Sequence, residues 1–307
     1  MSALIEANSL CRWFGQVMAL NDLSVSIAPG ITGLLGANGA GKTTFMRLLC
    51  GLQRPSSGSV RVFGADPFTQ LDARRRIGYS PADDGLYDDL SGAAFVKYTL
   101  ELSGFERRVA ARLAMDALDR VGLADAAQQR AGTYSKGMRQ RLRMAQAIAH
   151  TPELLVLDEP MDGLDPLVRV QLLELLRGLA AAGSSILIST HIFTEVEALT
   201  DRMVVLGRGR LLACGSVAEV RALQSQHPRK LRVHARNPRS LARELLLLPQ
   251  VVAVRVEDDG ALQIETRDLR AVELALPELA RSLRPGITAV ECLDAGMDAV
   301  FGYLAEA

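Results

Sequence analysis

The sequence predicts an α/β fold whose core is a mixed, mainly parallel sheet, extended by a helical insert and a small C-terminal α+β domain. Three observations predict it. An apolar run at 31–35 leads through a glycine-rich loop into a segment with helical spacing. A second unit of strand, helix and strand covers 154–189, and this order at short spacing is typical of a parallel sheet. After residue 230, short strands and helices alternate again.

Composition limits the possible classes of protein. The 307 residues are enough for two domains, and a hydrophobic content of 49% suits packed cores. Lys+Arg and Asp+Glu balance at 35 each, so no net charge attracts nucleic acid and we expect no nucleic-acid partner. The four cysteines lack C-x-x-C spacing, which indicates reduced thiols. Without a secretory signal or a long apolar stretch, the chain is expected in the cytoplasm.

The elements of the N-terminal part follow from the spacing of apolar residues. Residues 3–12 and 21–28 alternate between apolar and polar side chains, as the opening strands of an α/β unit do. From 91 to 150 apolar residues recur three and four apart, which predicts a helical subdomain at about 86–150. Two buried strands with a helix between them then follow within 154–189.

The C-terminal part is predicted to form a separate small domain. The composition turns polar at 224–230, which places a linker between an N-terminal domain at 1–223 and a C-terminal domain at 231–307. Beyond the linker the order βαββαβ fits a ferredoxin-like sandwich. Its strands are predicted at 231–235, 251–257, 261–266 and 287–293, and its helices at 238–247 and 269–283.

Residues 36–43 read Gly-Ala-Asn-Gly-Ala-Gly-Lys-Thr and form a P-loop motif between a strand and a helix. Such a turn points successive backbone N–H groups into one concavity, at the positive end of the helix dipole, where polyphosphate binds. Lys42 would reach the β- and γ-phosphates, and Thr43 would offer its hydroxyl to magnesium. The predicted nucleotide-binding residues of this segment are Gly36, Asn38, Gly39, Ala40, Gly41, Lys42, Thr43 and Thr44.

Two carboxylates follow the apolar strand at 154–157, as in a Walker B motif. Asp158 would hold magnesium through water, and Glu159 would orient and deprotonate an attacking water. Neighbouring side chains on a strand point to opposite faces, so the two carboxylates have different roles. His191 follows the next predicted strand and should emerge at the same edge of the sheet. We therefore predict Lys42, Glu159 and His191 as the catalytic residues.

The segment Tyr-Ser-Lys-Gly-Met at 134–138 precedes helical spacing, with Ser135 as its N-cap. Together with the motifs above, in this order, it resembles the signature motif of ATP-binding cassette (ABC) ATPases, usually written Leu-Ser-Gly-Gly-Gln. The resemblance covers about residues 3–220 and includes the family's full motif order. It implies a P-loop NTPase fold of the ABC type, ATP hydrolysis, and ATP and Mg²⁺ as the bound cofactors.

The resemblance also implies roles for residues outside the P-loop. Phe14, with Trp13 as a substitute, stands at the position of the aromatic residue that stacks on adenine. The segment 163–166, with Asp165, matches the D-loop that crosses between two subunits. The family forms a head-to-tail dimer, with an identical copy or a paralogue. In it, Ser135 and Gly137 of one copy clasp the ATP on the P-loop of the other, so one isolated chain has no complete site.

One motif departs from the family pattern. Similar proteins have Gln, or sometimes Glu, after the proline of a segment like 77–81, and here the residue is Ala82. That side chain normally touches magnesium or the attacking water. Asp83 and Asp84 follow, but a shift of one residue changes where a side chain points. Because Mg²⁺ readily keeps several waters, a water could fill the gap, leaving ATP binding intact and hydrolysis slower.

Within the family, the motif sequences of this chain resemble those of the ATPase subunits of bacterial exporters of the drug-resistance and ABC-2 type. This resemblance rests on residues 134–140, on 161–166, and on a small C-terminal domain that ends in Met-Asp-Ala-Val-Phe at 297–301. It implies a separate membrane permease, contacted through residues around 82–90 and the helical insert. The protein would then lie on the cytoplasmic face of the inner or plasma membrane, and its C-terminal domain would stabilise the dimer or regulate it.

Two other functions stay open from the sequence. Ala82 is compatible with a subunit that binds ATP and switches shape but hydrolyses little, although Glu159 and His191 argue against this. A soluble ABC ATPase in translation or DNA repair is the other alternative. Such proteins usually carry two cassettes in one chain or a long coiled-coil insert, and this sequence shows neither.

Overall fold

The chain forms two compact units, Met1–Val217 and Ala218–Ala307. The computed structural model describes residues 3–83, 85–220, 228–257, 259–283 and 286–293. Asp84, the motif at 297–301 and most of the predicted linker at 224–230 lie outside the described residues. The boundary between the units falls six residues before the predicted end of the N-terminal domain at 223.

The first unit alternates strands and helices. In chain order the elements are β1 (Ile5–Phe14), β2 (Val17–Ile27), β3 (Ile31–Leu35), α1 (Lys42–Leu49), β4 (Ser57–Val62), α2 (Leu71–Arg75), β5 (Ile77–Ser80), α3 (Gly92–Leu102), α4 (Arg107–Arg120), α5 (Lys136–Ile148), β6 (Leu154–Leu157), α6 (Pro166–Ala181), β7 (Ser185–Thr190), α7 (Phe193–Glu197), β8 (Arg202–Gly207) and β9 (Arg210–Ser216).

A six-stranded sheet with the order β5-β6-β7-β3-β8-β9 forms the centre of this unit. Its first five strands run parallel, and β9 is antiparallel to β8. Leu35 at the end of β3 pairs with Thr190 of β7, and Leu157 at the end of β6 pairs with Ile188. The segments that follow β3, β6 and β7 therefore meet at one edge of the sheet, where parallel sheets bind ligands. The predicted mixed, mainly parallel core is confirmed.

The first two strands belong to a separate antiparallel sheet with the order β2-β1-β4. From the sequence we expected them to open the α/β unit, with the second strand starting at residue 21. The strand begins earlier because Val17 pairs with Phe14 across a two-residue turn, in which Gly15 has φ 58°. A turn of this length requires positive φ, which glycine adopts readily.

Helices cover both faces of the central sheet. The predicted helical insert consists mainly of α3, α4 and α5, which pack around Val96, Ala114 and Leu142 and share one apolar core with Leu155 and Leu157 of β6. A second core, formed by α1, the antiparallel sheet and the opposite face of the central sheet, contains the fully buried Phe45, Leu48 and Leu34. Each such side chain contributes about 1.5–3 kcal/mol on burial. These two cores fix α1 and α5 against the sheet.

The second unit contains β10 (Arg229–Ala235), α8 (Pro238–Leu245), β11 (Val251–Val256), β12 (Leu262–Thr266), α9 (Leu269–Leu283) and β13 (Ile287–Cys292). Its sheet has the order β11-β12-β10-β13 with antiparallel neighbours, which confirms the predicted ferredoxin-like arrangement. β10 starts two residues before the predicted position because Arg229 still pairs with Thr266 of β12. Within the described part of the chain, no helix is both long and apolar enough to cross a membrane.

Candidate nucleotide site

The loop between β3 and α1 can be built only with glycine at two positions. A Cβ at Gly36 would lie 2.7 Å from the carbonyl oxygen of Leu206, and a Cβ at Gly41 would lie 2.6 Å from that of Ala19. Gly41, the N-cap of α1, also has φ 102°. The loop therefore turns tightly into α1, whose first N–H groups have no acceptor within the helix and lie at its positive end.

The amine of Lys42 lies inside this loop. Its Nζ donates to the carbonyl oxygen of Gly36 at 2.6 Å and to that of Ala37 at 3.4 Å. It also lies 3.2 Å from Oε1 of Glu159, and the side chain is only 6% exposed. The lysine predicted to bind phosphate and the glutamate predicted to act on water are thus in direct contact.

Glu159 connects the lysine to the predicted histidine. Its Oε2 lies 3.1 Å from Nδ1 of His191, whose side chain is half-exposed. Because a carboxylate only accepts hydrogen bonds, Nδ1 carries the proton in this contact. Glu159 has φ 48°, a left-handed conformation that costs a non-glycine residue about 1–2 kcal/mol. This backbone turn places its carboxylate between Lys42 and His191.

Asp158 is completely buried beside them. Its Oδ1 accepts a hydrogen bond from the hydroxyl of Ser189 at 2.6 Å, and its Oδ2 has no partner among the described residues. A buried carboxylate oxygen without a partner is costly unless a cation or donor reaches it. An oxygen ligand of this kind suits Mg²⁺, which proteins commonly bind through one or two carboxylates together with substrate phosphates.

The described residues contain no group of three or more His, Cys, Asp or Glu side chains that could hold a metal by themselves. A metal at Asp158 would therefore need hydroxyl or phosphate oxygens as further ligands. Thr43, in the first turn of α1, is the predicted protein ligand of this kind. The residues present fit a magnesium ion that is bound together with a phosphorylated substrate.

Two protonated groups lie near Asp158. Burial, and then the negative charge of Asp158, raise the pKa of the Cys50 thiol and of the Tyr79 hydroxyl. Both groups therefore stay neutral at physiological pH, and neither adds a negative charge next to the carboxylate. Of these three groups, only the carboxylate of Asp158 would therefore offer a negative charge to a cation.

Ser189 is a site residue that was not predicted from the sequence. Its hydroxyl donates to Asp158 and accepts from the backbone N–H of Glu159 at 2.8 Å, so it holds both predicted Walker B residues. The available signal was a serine that directly follows the apolar residues 186–188 of β7, the strand next to the one that carries the carboxylates. Pairing of β6 with β7, which sequence alone did not establish, turns that signal into a contact.

The predicted signature and D-loop residues lie at two helix N-termini. Ser135 is exposed and caps α5, where its hydroxyl accepts from the N–H of Met138 at 3.3 Å. Asp165 caps α6 and accepts from the N–H groups of Leu167 and Val168, both at 3.1 Å. As far as the chain is described, no hydrogen bond or ion pair joins Ser135, Gly137 or Asp165 to residues 36–44.

The signature and D-loop segments contact each other. Lys136 Nζ lies 3.0 Å from Oδ2 of Asp162, and both side chains are exposed. A Cβ at Gly163 would lie 2.5 Å from the Lys136 side chain, so the lysine lies directly over the D-loop. An exposed ion pair of this kind contributes about 0–1 kcal/mol. The two segments therefore share a surface in the monomer.

The predicted adenine-stacking residue is accessible. Phe14 ends β1 and is 43% exposed, and the guanidinium carbon of Arg12 lies 4.6 Å from the centre of its ring. Trp13, the alternative, is 37% exposed. Of the predicted residues, the structure thus joins Lys42, Glu159 and His191 by contacts, and leaves Phe14 at the end of the neighbouring sheet.

Ala82 follows β5 and is exposed. Its carbonyl oxygen accepts a hydrogen bond from Arg143 of α5 at 3.3 Å. The carboxylate of Asp83 binds the guanidinium of Arg47 on α1. Asp83 is therefore turned toward Arg47, and the position of the expected glutamine carries only a methyl group.

A glycine loop at a helix N-terminus, a buried aspartate after another parallel strand of the same sheet and a glutamate beside it define a P-loop nucleoside triphosphatase. Comparisons with known proteins then identify the family. A family model described as ABC transporter matches residues 20–162. A daunorubicin/doxorubicin resistance ATP-binding protein from Streptomyces peucetius is 36% identical over 285 residues, covering 91% of this chain and 85% of the relative. The chain belongs to the ATP-binding proteins of ABC transporters.

Two further comparisons agree with this assignment. A bacitracin transport ATP-binding protein from Bacillus licheniformis is 36% identical over 215 residues, which is 69% of each chain. A solved ATP-binding subunit of an ABC transporter has a TM-score of 0.65 and 29% identity, and the match covers 71% of this chain and 92% of that one. The ABC resemblance, the fold class and the enzyme class, an ATPase, are thereby confirmed.

Proposed function

We propose that this chain is the ATP-hydrolysing subunit of an exporter that works with a separate membrane permease. The observation that carries the proposal is the position of Glu159, which contacts Lys42 and His191 beside the partner-free oxygen of Asp158. The similarity to the drug-resistance and bacitracin transport proteins supports outward transport. Peripheral attachment to the cytoplasmic face of the membrane would follow from binding to the permease.

Phosphate binding is assigned to the loop before α1. Lys42 would exchange the carbonyl oxygens and the Glu159 carboxylate that it now contacts for the β- and γ-phosphate oxygens. Backbone N–H groups at the start of α1 add the helix dipole to this attraction. The residues proposed to line the phosphates are Gly36, Asn38, Gly39, Ala40, Gly41, Lys42, Thr43 and Thr44.

The magnesium ion is assigned to Thr43 and Asp158. Oδ2 of Asp158 is the buried carboxylate oxygen without a partner, and Ser189 fixes the other oxygen. When bound, the ion would neutralise charge on the phosphates. Ser189 orients Asp158, because its hydroxyl donates a hydrogen bond to one oxygen of the carboxylate.

Glu159 is assigned as the general base. When Lys42 turns to the phosphates, Oε1 of Glu159 loses its cationic partner and can accept a proton from water. The other oxygen stays hydrogen-bonded to Nδ1 of His191, which holds the carboxylate in place. His191 therefore positions the base.

An ATP site shared between two copies of the chain is supported by the residues at the N-termini of α5 and α6. Ser135 and Gly137 lie at the N-terminus of α5, and Asp165 at that of α6, and within the described part of the chain none of them is bonded to the phosphate loop. We assign them to the ATP held by a second copy or a paralogue in a head-to-tail dimer. Phe14, with 43% of its surface exposed, is assigned to the adenine ring.

The permease contact is assigned to the surface around residues 82–90 and the helical insert. A groove of 720 Å³ is lined there by residues that include Tyr87 and Tyr98, which meet edge to face with ring centres 6.3 Å apart. Tyr87 is 58% exposed, and aromatic residues are enriched in protein interfaces. Asp89 adds negative charge to this groove, whereas Asp88 is paired with Arg139 at 2.7 Å. The charge of Asp89 suits a basic segment of the permease.

Affinity purification of the chain from membranes, followed by mass spectrometry, tests this function. The expected result is recovery of one multi-spanning membrane protein. Tyr87→Asp should reduce the recovered amount. Leu247→Asp, a matched control at an exposed position of the second unit, should leave that amount unchanged. Recovery of ribosomal or DNA-repair proteins without a membrane protein would refute the exporter assignment.

A second function is favoured by Ala82. With a methyl group in place of the expected glutamine, and Asp83 bound to Arg47, neither residue 82 nor residue 83 offers a side chain to position water. The chain would then bind ATP and change shape with little hydrolysis. Tight ATP binding without ATPase activity, measured with the permease present, would support this switch. ATPase activity that Glu159→Gln abolishes would support the enzyme.

A further inference from the structure

A cavity separate from the phosphate loop lies between the end of α4, the helix α5 and the start of α6. Its volume is 290 Å³, just below the range of about 300–1,000 Å³ that is usual for small-molecule sites. None of its lining residues belongs to 36–44. Most of its wall is apolar and is contributed by Val121, Met144, Leu164, Val168, Leu172 and Leu175.

Two hydrogen-bond donors on the lining residues are left without partners. Gln140 is 4% exposed, and its Oε1 is bound to Arg143, which is not part of the lining. Its Nε2 is buried and has no partner among the described residues. Arg141 donates through Nη1 to the carbonyl oxygen of Gly122 at 3.0 Å, while its Nε is likewise buried and unpartnered. A buried unsatisfied donor costs about 1–3 kcal/mol.

The charges at the cavity favour an anion. The charged lining residues are Arg120, Arg141 and Asp119, two cations against one carboxylate. Both unpartnered atoms are donors, so the group that satisfies them must accept hydrogen bonds. A carboxylate is an acceptor with two oxygens, and its hydrogen bonds with a guanidinium are charge-assisted.

We propose that this cavity binds a small amphipathic organic anion. Its carboxylate would accept from Gln140 Nε2 and Arg141 Nε once these two side chains turn toward it, and its hydrocarbon chain would pack against Leu164, Val168 and Leu172. Pro160 and Leu164 belong to the segment between Glu159 and Asp165, so the ligand would touch the D-loop without entering the ATP site. The site requires no second copy of the chain.

Titration calorimetry of the full chain with sodium octanoate tests the proposal, with 1-octanol as the matched neutral probe. Octanoate should bind about tenfold or more tightly than 1-octanol, because only octanoate makes the two charge-assisted bonds. Saturating ATP should leave octanoate binding in place. Absence of octanoate binding, equal affinity for both probes, or displacement by ATP would overturn the proposal.

Two matched variants locate the site. Val168→Phe fills the cavity from α6 and should weaken octanoate binding about tenfold or more, whereas Val170→Phe places the same side chain on the exposed face of that helix and should not. Leu175→Phe, one further lining position, serves if Val168→Phe does not fold. Equal octanoate affinity of the cavity variant and of Val170→Phe would overturn the assignment.

Discussion

The side-chain amine of Lys42 lies 3.2 Å from Oε1 of Glu159, which joins the start of α1 to the loop after β6. The lysine is buried and the glutamate partly buried, so the attraction between them is screened less than at the surface. A phosphate that draws Lys42 away frees one oxygen of the base. Substrate binding and activation of Glu159 are thus coupled through one ion pair.

Phe14→Ala should weaken ATP binding, since stacking on a base contributes about 1–3 kcal/mol, or about five- to 150-fold. Trp13→Ala is the matched comparison, because the two residues are adjacent and similarly exposed. Fluorescence titration with a labelled ATP analogue measures both affinities. A larger loss of affinity with Trp13→Ala would show that the tryptophan is the stacking residue. Unchanged affinity in both variants would show that neither residue stacks on adenine.

Gly36→Ala should destabilise the first unit and impair nucleotide binding, because the added Cβ would lie 2.7 Å from the Leu206 carbonyl oxygen and 2.8 Å from the Ala40 Cβ. Gly178→Ala, in α6 with open space around it, should instead stabilise the protein by about 0.5–1 kcal/mol. Urea unfolding of the two variants measures both effects. Equal midpoints would contradict the close approach at Gly36.

Ala82→Gln should change the turnover of ATP more than its affinity, because the restored amide would reach water or magnesium while the phosphate loop stays unaltered. Turnover and affinity are measured on the chain assembled with its permease. Comparable changes in both quantities would refute the separate role of this position. Since Asp83 is bound to Arg47, Asp83→Asn serves as the control at the adjacent residue.

His150 should make the protein less stable in acid. Burial lowers the pKa of His150 below its ordinary value, and the hydrogen bond to the Ile77 carbonyl oxygen only partly offsets this. Below a pH of about 6.5 the unfolded chain therefore binds more protons than the folded one, so stability falls as the pH drops. Urea unfolding from about pH 7.5 to 5.5 should show a shallower loss for His150→Gln. If the stability of the wild type and of His150→Gln fell in parallel with pH, this role of His150 would be contradicted.

Much of the fold could be predicted because it depends on local patterns. The apolar run of β6 and the order βαββαβ after residue 230 show in the sequence as periods and turn signals. The carboxylates at 158 and 159 could be placed for the same reason, since residues after a buried parallel strand reach the edge of the sheet. The link from Lys42 to Glu159 follows from these two placements.

The rest depended on contacts between distant parts of the chain. Alternation identifies β1 and β2 as strands but does not show that β1 also pairs with β4, so that the three strands form a separate sheet. Ser189 looks like any polar residue in a strand until β7 is paired with β6. Asp83 is a further example. Its binding to Arg47 is a tertiary contact, which its position after Ala82 in the sequence does not predict.

The ATPase rate of Glu159→Gln, beside its ATP affinity, tests the central claim that Glu159 is the base of an ATPase. The matched control is Glu153→Gln, a glutamate on the surface whose ion pair with Arg76 contributes little. We predict that Glu159→Gln lowers the rate about 10² to 10⁴-fold with ATP affinity retained, and that Glu153→Gln leaves the rate unchanged. A Glu159→Gln variant that binds and hydrolyses ATP at the wild-type rate would contradict the account.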